Sequence, residues 1–484
     1  MKKLRIIILV CLLSISGVTG LLAQNYNDAY RLSETQIITN AKSLGIGNAY
    51  TALSNGFNGA LFNPAGFALV KKSEMTFSLN YDKVGNDIEF FNSMNKVSDD
   101  RTDINQIGIV LPFNTKRGSF AINFGYTKLA DYSKRMNFDA FNPNSNSMIQ
   151  DLTNSNDDLA YNLVLSYPVY AGNDYLYDET LINGKLNQRG TIKQSGEMTG
   201  WTMGFGIEIA PNLYFGGNLN IIRGTFERNR SYWEEDTKNI YGNSLLLDPI
   251  EPRSADFQSF YFNDVIKWDI DSKEWKFGLL AKMNNNLNVG LTIKLPQTYT
   301  ITENYFVDAE SKFGTGATFY LDGPIENRVK YKIRLPYEFR AGVSSSFDNF
   351  TLNGDIQFID NAKMEFKEGF SNSDLSRKND GIENNLESVI NLYAGLEYKL
   401  PGTKTALRVG GMYLPSAYVN DGSEFAKKII TLGIGHKLNS TIEVDAAYAY
   451  GWWNDVGDNY SSNLSRTFQS LAKNYFTASI KYLF

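Results

Sequence analysis

Few side chains in this sequence could make or break bonds. A histidine-based acid, base or metal cluster would have to centre on His436, the sole histidine. It follows Ile430, Leu432 and Ile434 in an alternating row, so it faces outward beside the turn Asn439-Ser440, with no serine on a neighbouring strand poised for activation. The sole cysteine is Cys11, so beyond it there is no disulfide framework, Cys-ligated zinc or Cys nucleophile. Glu234-Glu235-Asp236 offers oxygen donors that suit calcium, although a solvated loop face accounts for the same run. Gly45-x-Gly47 lacks the flanking strand and helix of a phosphate cradle. Asn63-Pro64 and Ala65-Gly66 favour turns, and Pro64 biases Asn63 toward an extended backbone. Arg340 and Arg408 alternate with apolar neighbours and should share a face with Glu208, Glu338, Asp355 and Glu397, which can neutralise them. No catalytic set, cofactor motif or metal site emerges, and the expectation is a non-enzyme.

The elements that must position these residues are strands. Lys2, Lys3 and Arg5 precede the apolar run Ile6–Val18, and Leu21-Leu22-Ala23 ends on a small residue before Gln24. That run is shorter than the ~20 residues of a spanning helix and reads as a cleaved secretory leader over residues 1–23. Without its three cations the 484-residue chain carries eight more acidic than basic groups, which argues against binding a nucleic-acid backbone. The mean hydropathy of -0.30 forbids a bundle of membrane helices. Yet 29 Tyr, 31 Phe and 6 Trp are many rings for an ordinary soluble enzyme.

Period-two alternation dominates the rest. Trp201, Met203, Phe205, Ile207 and Ile209 alternate with glycine and polar residues, as do Phe476, Ala478, Ile480, Tyr482 and Phe484. Turn signals divide the chain into fourteen candidate strands at 73–82, 103–113, 118–130, 197–210, 213–229, 273–283, 287–306, 326–347, 350–368, 387–400, 405–415, 426–438, 441–452 and 473–484. Long and short connections alternate strictly, and the short ones carry turn residues such as Pro211-Asn212 and Pro401-Gly402. A soluble sandwich has no reason to sort its connections by parity. An outer-membrane barrel does, because its periplasmic turns are short and its extracellular loops long. The expectation is an all-β fold, a 14-stranded antiparallel transmembrane β-barrel over 73–484, with Tyr450, Trp452, Trp453 and Tyr482 at the membrane interfaces. Phe484, closing an alternating strand, suits a signal read by the outer-membrane assembly machinery. The connection 131–196 holds the apolar stretch Leu159–Leu165, which either caps the mouth with a hydrophobic surface or stabilises the loop.

Residues 24–72 are neither strand nor loop, and at the periplasmic end of a barrel they fit the lumen as a plug. Here Leu44-Gly45-x-Gly47-x-Ala49-x-x-Ala52, followed by Asn63-Pro64-Ala65-Gly66, resembles the N-terminal hatch signature of the FadL/TodX outer-membrane transporters of long-chain fatty acids and hydrocarbons. Weaker similarity continues around Leu335-Pro336-Tyr337-Glu338, Leu407-Arg408-Val409-Gly410 and Asp445–Gly451. The resemblance implies a hatch that closes the lumen and lateral ligand release beside a kinked strand. It also implies a basic group for the fatty-acid carboxylate, which the sequence does not place. By resemblance Asn63, Pro64 and Ala65 are hatch and ligand-path residues, with Gly45, Gly47 and Gly66 as hatch backbone positions; for each glycine a turn requirement is an equal explanation.

The resulting expectation is passive transport of hydrophobic small molecules through a plugged barrel in the outer membrane. Its partners would be the ligand, outer-membrane lipid or lipopolysaccharide, and the assembly machinery through Phe484. The alternative is a non-transporting barrel that anchors or shuttles exported surface proteins; a water-filled porin is a third reading.

Overall fold

The structure, a computed structural model, describes residues 24–484 except 38, 156–157 and 461–463. The leader expected over 1–23 lies outside the described residues. Twenty hydrogen-bonded segments form one sheet, and together they make fourteen crossing strands. These are β1 (Glu74–Phe90), β2 (Ser93–Phe113), β3 (Phe120–Asp131), β4 (Glu197–Ala210), β5 (Leu213–Glu235), β6 (Phe257–Lys282), β7 (Leu287–Lys294, resuming as Gln297–Phe313), β8 (Ile325–Leu335, resuming as Glu338–Phe347), β9 (Phe350–Asp360), β10 (Ser388–Lys399), β11 (Thr405–Leu414), β12 (Lys427–Lys437), β13 (Ile442–Asp458) and β14 (Arg466–Leu483). Every neighbour pair is antiparallel, and β1 closes on β14 from Glu74↔Leu483 to Glu89↔Phe468. Closure leaves no unpaired edge in hydrocarbon, the condition for a sheet to span a bilayer.

β9 shows why these sequences become barrel strands. Phe350, Leu352, Ile356 and Phe358 are exposed, while Thr351, Asn353, Asp355 and Gln357 between them are buried. The polar row faces inward and the apolar row outward, the reverse of a soluble core. The same apolar belt continues through Met75 and Leu79, Ile122 and Phe124, Trp201 to Ile209, Leu407 and Val409, Ile430 to Ile434, and Phe476 to Tyr482. No helix among the described residues is long and apolar enough to cross a membrane. Trp453 departs from its expected place: it turns inward, with Lys427 Nζ 5.3 Å from its ring centroid.

The strands overshoot the belt, which corrects the expected connections. The span 83–102 is not a loop, because β1 and β2 pair up to Phe90↔Ser93 and leave only Phe91-Asn92 as the turn. Likewise β5 and β6 pair from Ala281↔Leu213 to Ser259↔Glu235, far into the expected long connection. Above the membrane the outer face meets water and turns polar, while Ile88, Phe90, Phe260 and Phe262 stay buried inside, so the outward apolar row that marks a belt strand in sequence disappears.

At the extracellular end, Lys134–Phe141 and Asn187–Ser195 form a ladder over helices α1 (Met148–Asn154) and α2 (Leu159–Asn162). Ile149, Leu152, Leu163 and Leu165 bury themselves there against Phe138 and Phe260. The stretch Leu159–Leu165 is therefore the core of a cap rather than an exposed apolar surface.

An irregular seam lies between β2 and β3. β2 pairs with β3 only between Gln106↔Thr127 and Phe113↔Phe120. Above that, β3 bulges between Lys128 and Ala130 and the chain leaves the wall. Its continuation Lys134–Phe141 passes inside, with the Phe138 ring tilted against Phe90 at 4.5 Å between centroids and Asn86 Nδ2 donating to the Arg135 carbonyl at 3.1 Å. Among the described residues no ladder joins Ser93–Asn105 to this side.

Candidate functional site

The described residues of 24–73 lie inside the cylinder, held by the inward row of almost every strand. Helix α3 (Tyr26–Ser33) starts with a capping box between Asn25 and Asp28. Its Ala29 and Leu32 pack on a buried aromatic group that includes Phe226 and Trp268, with the Arg31 guanidinium 4.3 Å from the Phe226 centroid. Helix α4 (Ala41–Gly45) is capped by the Asn40 side chain. Asp355 then collects the chain: its Oδ2 accepts from the amides of Tyr50 and Thr51 at 3.0 Å each and from Thr51 Oγ1 at 2.7 Å. Arg340 bridges that carboxylate at 3.0 Å and donates to the Asn48 carbonyl.

Asn63 is fully buried and ties two levels together. Its Nδ2 donates to the Thr51 carbonyl at 3.1 Å and to the Leu279 carbonyl of β6 at 2.9 Å, while its Oδ1 accepts from the Ala65 amide at 3.1 Å. This caps a 3₁₀ turn over Pro64–Leu69. Pro64 supplies a fixed φ at its start, and Ala65 packs with Ala68, Tyr214 and Leu280. A side chain at Gly66 would strike the Ser54 carbonyl. Gly47 adopts φ +60°, its amide donates to Thr431 Oγ1 at 3.1 Å, and a Cβ there would meet backbone atoms of Ala394 and Gly411 at 2.6 Å. Gly45 sits against Gly433. The sequence-expected residues therefore act as backbone fittings between segment and wall.

The complementary half of this fit was missed in the sequence. Inward glycines pair across strands at one level, as Gly108↔Gly125, Gly206↔Gly216, Gly290↔Gly342 and Gly395↔Gly410. A Cβ at these positions would overlap Phe57, Ala68 and Pro64, Thr51, and Ile46 with Gly47 respectively. The signal was visible as glycines alternating with large apolar residues within strands.

Beside α3 and below the cap lies a cavity of about 1000 Å³, lined by Tyr26, Tyr30, Tyr132, Met136, Phe262, Ile266, Trp453 and Leu471 among others. Three of its lysines have carboxylate partners: Lys473 with Asp82 at 2.8 Å, Lys427 with Glu34 at 2.6 Å, and Lys134 with Asp455. Arg228 and Arg230 share the single carboxylate of buried Asp264, and Arg228 Nε is buried without an acceptor among the described residues. Asp131, Tyr132 and Lys134 carry the cavity wall to the seam.

A family model described as outer membrane protein transport protein (OMPP1/FadL/TodX) matches residues 29–482. The chain belongs to this family. Among solved structures it is similar to a Pseudomonas aeruginosa FadL homologue, with a TM-score of 0.57 at 13% identity over 96% of this chain and 100% of that one. It is also similar to the Pseudomonas putida toluene transporter TodX, with a TM-score of 0.52 at 12% identity over 93% of this chain and 100% of that one. At such identities these likenesses concern the fold. No curated protein sequence matches the chain.

In this FadL/TodX-family barrel, an outer-membrane transport channel by family, the other chemistry-bearing residues have structural surroundings. His436 is exposed on the outer face, its Nδ1 2.9 Å from Thr405 Oγ1. The acidic run is divided: Glu234 is buried in the cap, Glu235 pairs with Arg189 at 3.2 Å, and Asp236 accepts from the amides of Ile240 and Tyr241. These three carboxylates do not converge on one point. Glu234 accepts from the Met148 amide at 2.8 Å, Gln188 Nε2 at 2.9 Å and Tyr232 Oη at 3.0 Å; burial nevertheless pushes its pKa up to about 7. Arg408 lies between Glu397 at 2.7 Å and Asp445 at 2.6 Å, and Glu338 serves Lys294 at 2.8 Å. Arg340 thus ties the wall to the N-terminal segment and Arg408 cross-links wall strands, both away from the cavity.

Proposed function

We propose that this barrel passes long-chain fatty acids or hydrocarbons across the outer membrane without energy coupling. Residues 24–72 serve as the hatch, and ligand leaves sideways at the seam between β2 and β3. The observation that carries the reading is the partly open cavity of about 1000 Å³ bordered by the segment, the cap and the seam, large enough for a folded long chain. Its rings and aliphatic side chains supply apolar contact at ~25 cal/mol per Å² buried. Arg228 and Arg230, two cations with one carboxylate between them, leave a positive charge for an acidic head group and favour a fatty acid over a neutral hydrocarbon. Asn63, Pro64 and Ala65 do not line that cavity; they border a path only below it, once the hatch shifts, and Gly45, Gly47 and Gly66 let the hatch seat. Lipid extraction and mass spectrometry of purified protein should recover a long-chain acid in stoichiometric amount; lumens free of any apolar compound, with equal uptake after deletion of 24–72, would overturn the reading.

One observation favours the anchor or shuttle reading. The separate two-stranded ribbon Tyr167–Ala171 with Asp174–Glu179 exposes Tyr170, Tyr175, Leu176 and Tyr177, an apolar surface that suits an exported protein. Recovery of a stoichiometric exported partner, lost on replacing these four residues by serine, would support it.

A further inference from the structure

The seam is unzipped in its backbone but zipped by charge. Arg101 and Asp103 stand on β2, Lys128 and Asp131 on β3, and Glu197 at the start of β4. Arg101 reaches across the seam to Asp131 at 3.3 Å and to Glu197 at 2.6 Å, and Lys128 reaches back to Asp103 at 2.6 Å. Each cation also bonds a carboxylate of its own strand: Arg101 to Asp103 at 2.8 Å and Lys128 to Asp131 at 3.0 Å. Higher on the same seam Arg135 faces Asp99 at 3.4 Å. The group sits just above the last ladder pair, Gln106↔Thr127, where the outward residues change from Leu79 and Ile104 to Lys83 and Asp100. That is the polar rim of the apolar belt. Asp131 belongs at once to this network and to the cavity lining.

We infer that this network is an ionic latch, and that Arg101 and Lys128 are the gating residues of lateral passage. The inference rests on the proposed sideways release. Opening a ladder in a low-dielectric belt would expose backbone N–H and C=O groups without partners. Here no ladder has to part, and the contacts that must break are side-chain ion pairs, partly exposed at Arg101 and Glu197 and buried at Lys128 and Asp131. Salt weakens the exposed Arg101–Glu197 pair, and water entering the gap weakens the buried ones. The wall can therefore part at this point while the barrel remains closed below Gln106.

Two readouts separate the latch from the passage it serves. Spin labels at Asp100→Cys and Thr199→Cys, in a Cys11→Ser background, read the width of the seam without any ligand. Their distance distribution should broaden at high salt in the wild type and already be broad at low salt in Arg101→Gln/Lys128→Gln. A distribution identical in the two proteins at both salts overturns the latch. Uptake of radiolabelled oleate into vesicles reads the passage: the neutralised variant should be faster by roughly tenfold, from a few weak pairs lost together. Joining Asp103→Cys to Lys128→Cys with a short bis-maleimide should stop uptake. If the bridge stops uptake while the neutralised variant matches wild type, the latch is refuted and sideways release stands. If the bridged protein carries oleate at the wild-type rate, sideways release fails and the gating role falls with it. Heat-modifiable migration of each variant verifies that the barrel has closed.

Discussion

Asp355 is the point at which the N-terminal segment depends most on one wall residue, and Asp355→Ala tests whether that segment is a stopper. The carboxylate accepts two backbone amides and a hydroxyl from Tyr50 and Thr51 and neutralises Arg340. Its side chain is almost fully buried, and that of Arg340 is only 10% exposed. Removing one member of such a pair strands the other, at a cost of about 3–5 kcal/mol. Two segment amides also lose their acceptor. The seated state should be disfavoured by a factor on the order of 10² to 10³, while the belt and ladders, which do not involve Asp355's carboxylate, keep the barrel closed. In planar bilayers the wild type should be closed to ions and the variant should show frequent openings. Asp355→Asn, which retains one acceptor oxygen, should fall between them. Conductance and segment protease resistance equal to wild type in Asp355→Ala would refute the account of how the segment is held.

Gly47→Ala should unseat the segment by a different route, combining about 1–2 kcal/mol for a positive φ with a clash against β10 and β11; protease cleavage within 41–53 should report it. Glu234→Gln should remove a pH dependence of the cap. With its pKa raised to about 7 from an ordinary 4.5, the folded cap binds a proton that the opened cap does not. Its stability is then full below about pH 4.5 and is lost as pH rises through 7, by on the order of 3 kcal/mol in total. Hydrogen-exchange protection factors over Met148–Leu165, corrected for the intrinsic pH dependence, should therefore fall between pH 5 and 7.5 in wild type and not in the variant. Arg228→Ala should weaken oleate binding roughly tenfold or more, the loss of one charge-assisted contact, with little effect on toluene uptake.

The fourteen crossings were legible in sequence wherever the two faces of a strand meet different media. Trp201 to Ile209 and Phe476 to Tyr482 alternate because one face meets hydrocarbon and the other the packed lumen. Residues 83–102 could not be read that way, since Lys83, Asp87 and Glu89 replace the apolar row once β1 leaves the belt. The segment residues Gly45, Gly47 and Asn63–Gly66 stood out by type, but their partners did not. Asp355, Thr431 and the Leu279 carbonyl lie more than two hundred residues away, and only closure of the sheet brings them to one level. The seam was least visible, because a missing ladder leaves no mark in composition. Its charges, spread from Asp99 to Glu197, look like solvated loop residues until β2, β3 and β4 are placed side by side.

The central claim is that the lumen carries hydrophobic molecules, and the initial rate of radiolabelled oleate uptake by outer-membrane vesicles with and without the protein tests it most directly. The account predicts a rate that rises with the amount of barrel, saturates with oleate and falls on Arg228→Ala. Equal rates with and without the protein, in vesicles that swell in small sugars only when it is present, would contradict it and make the barrel a porin.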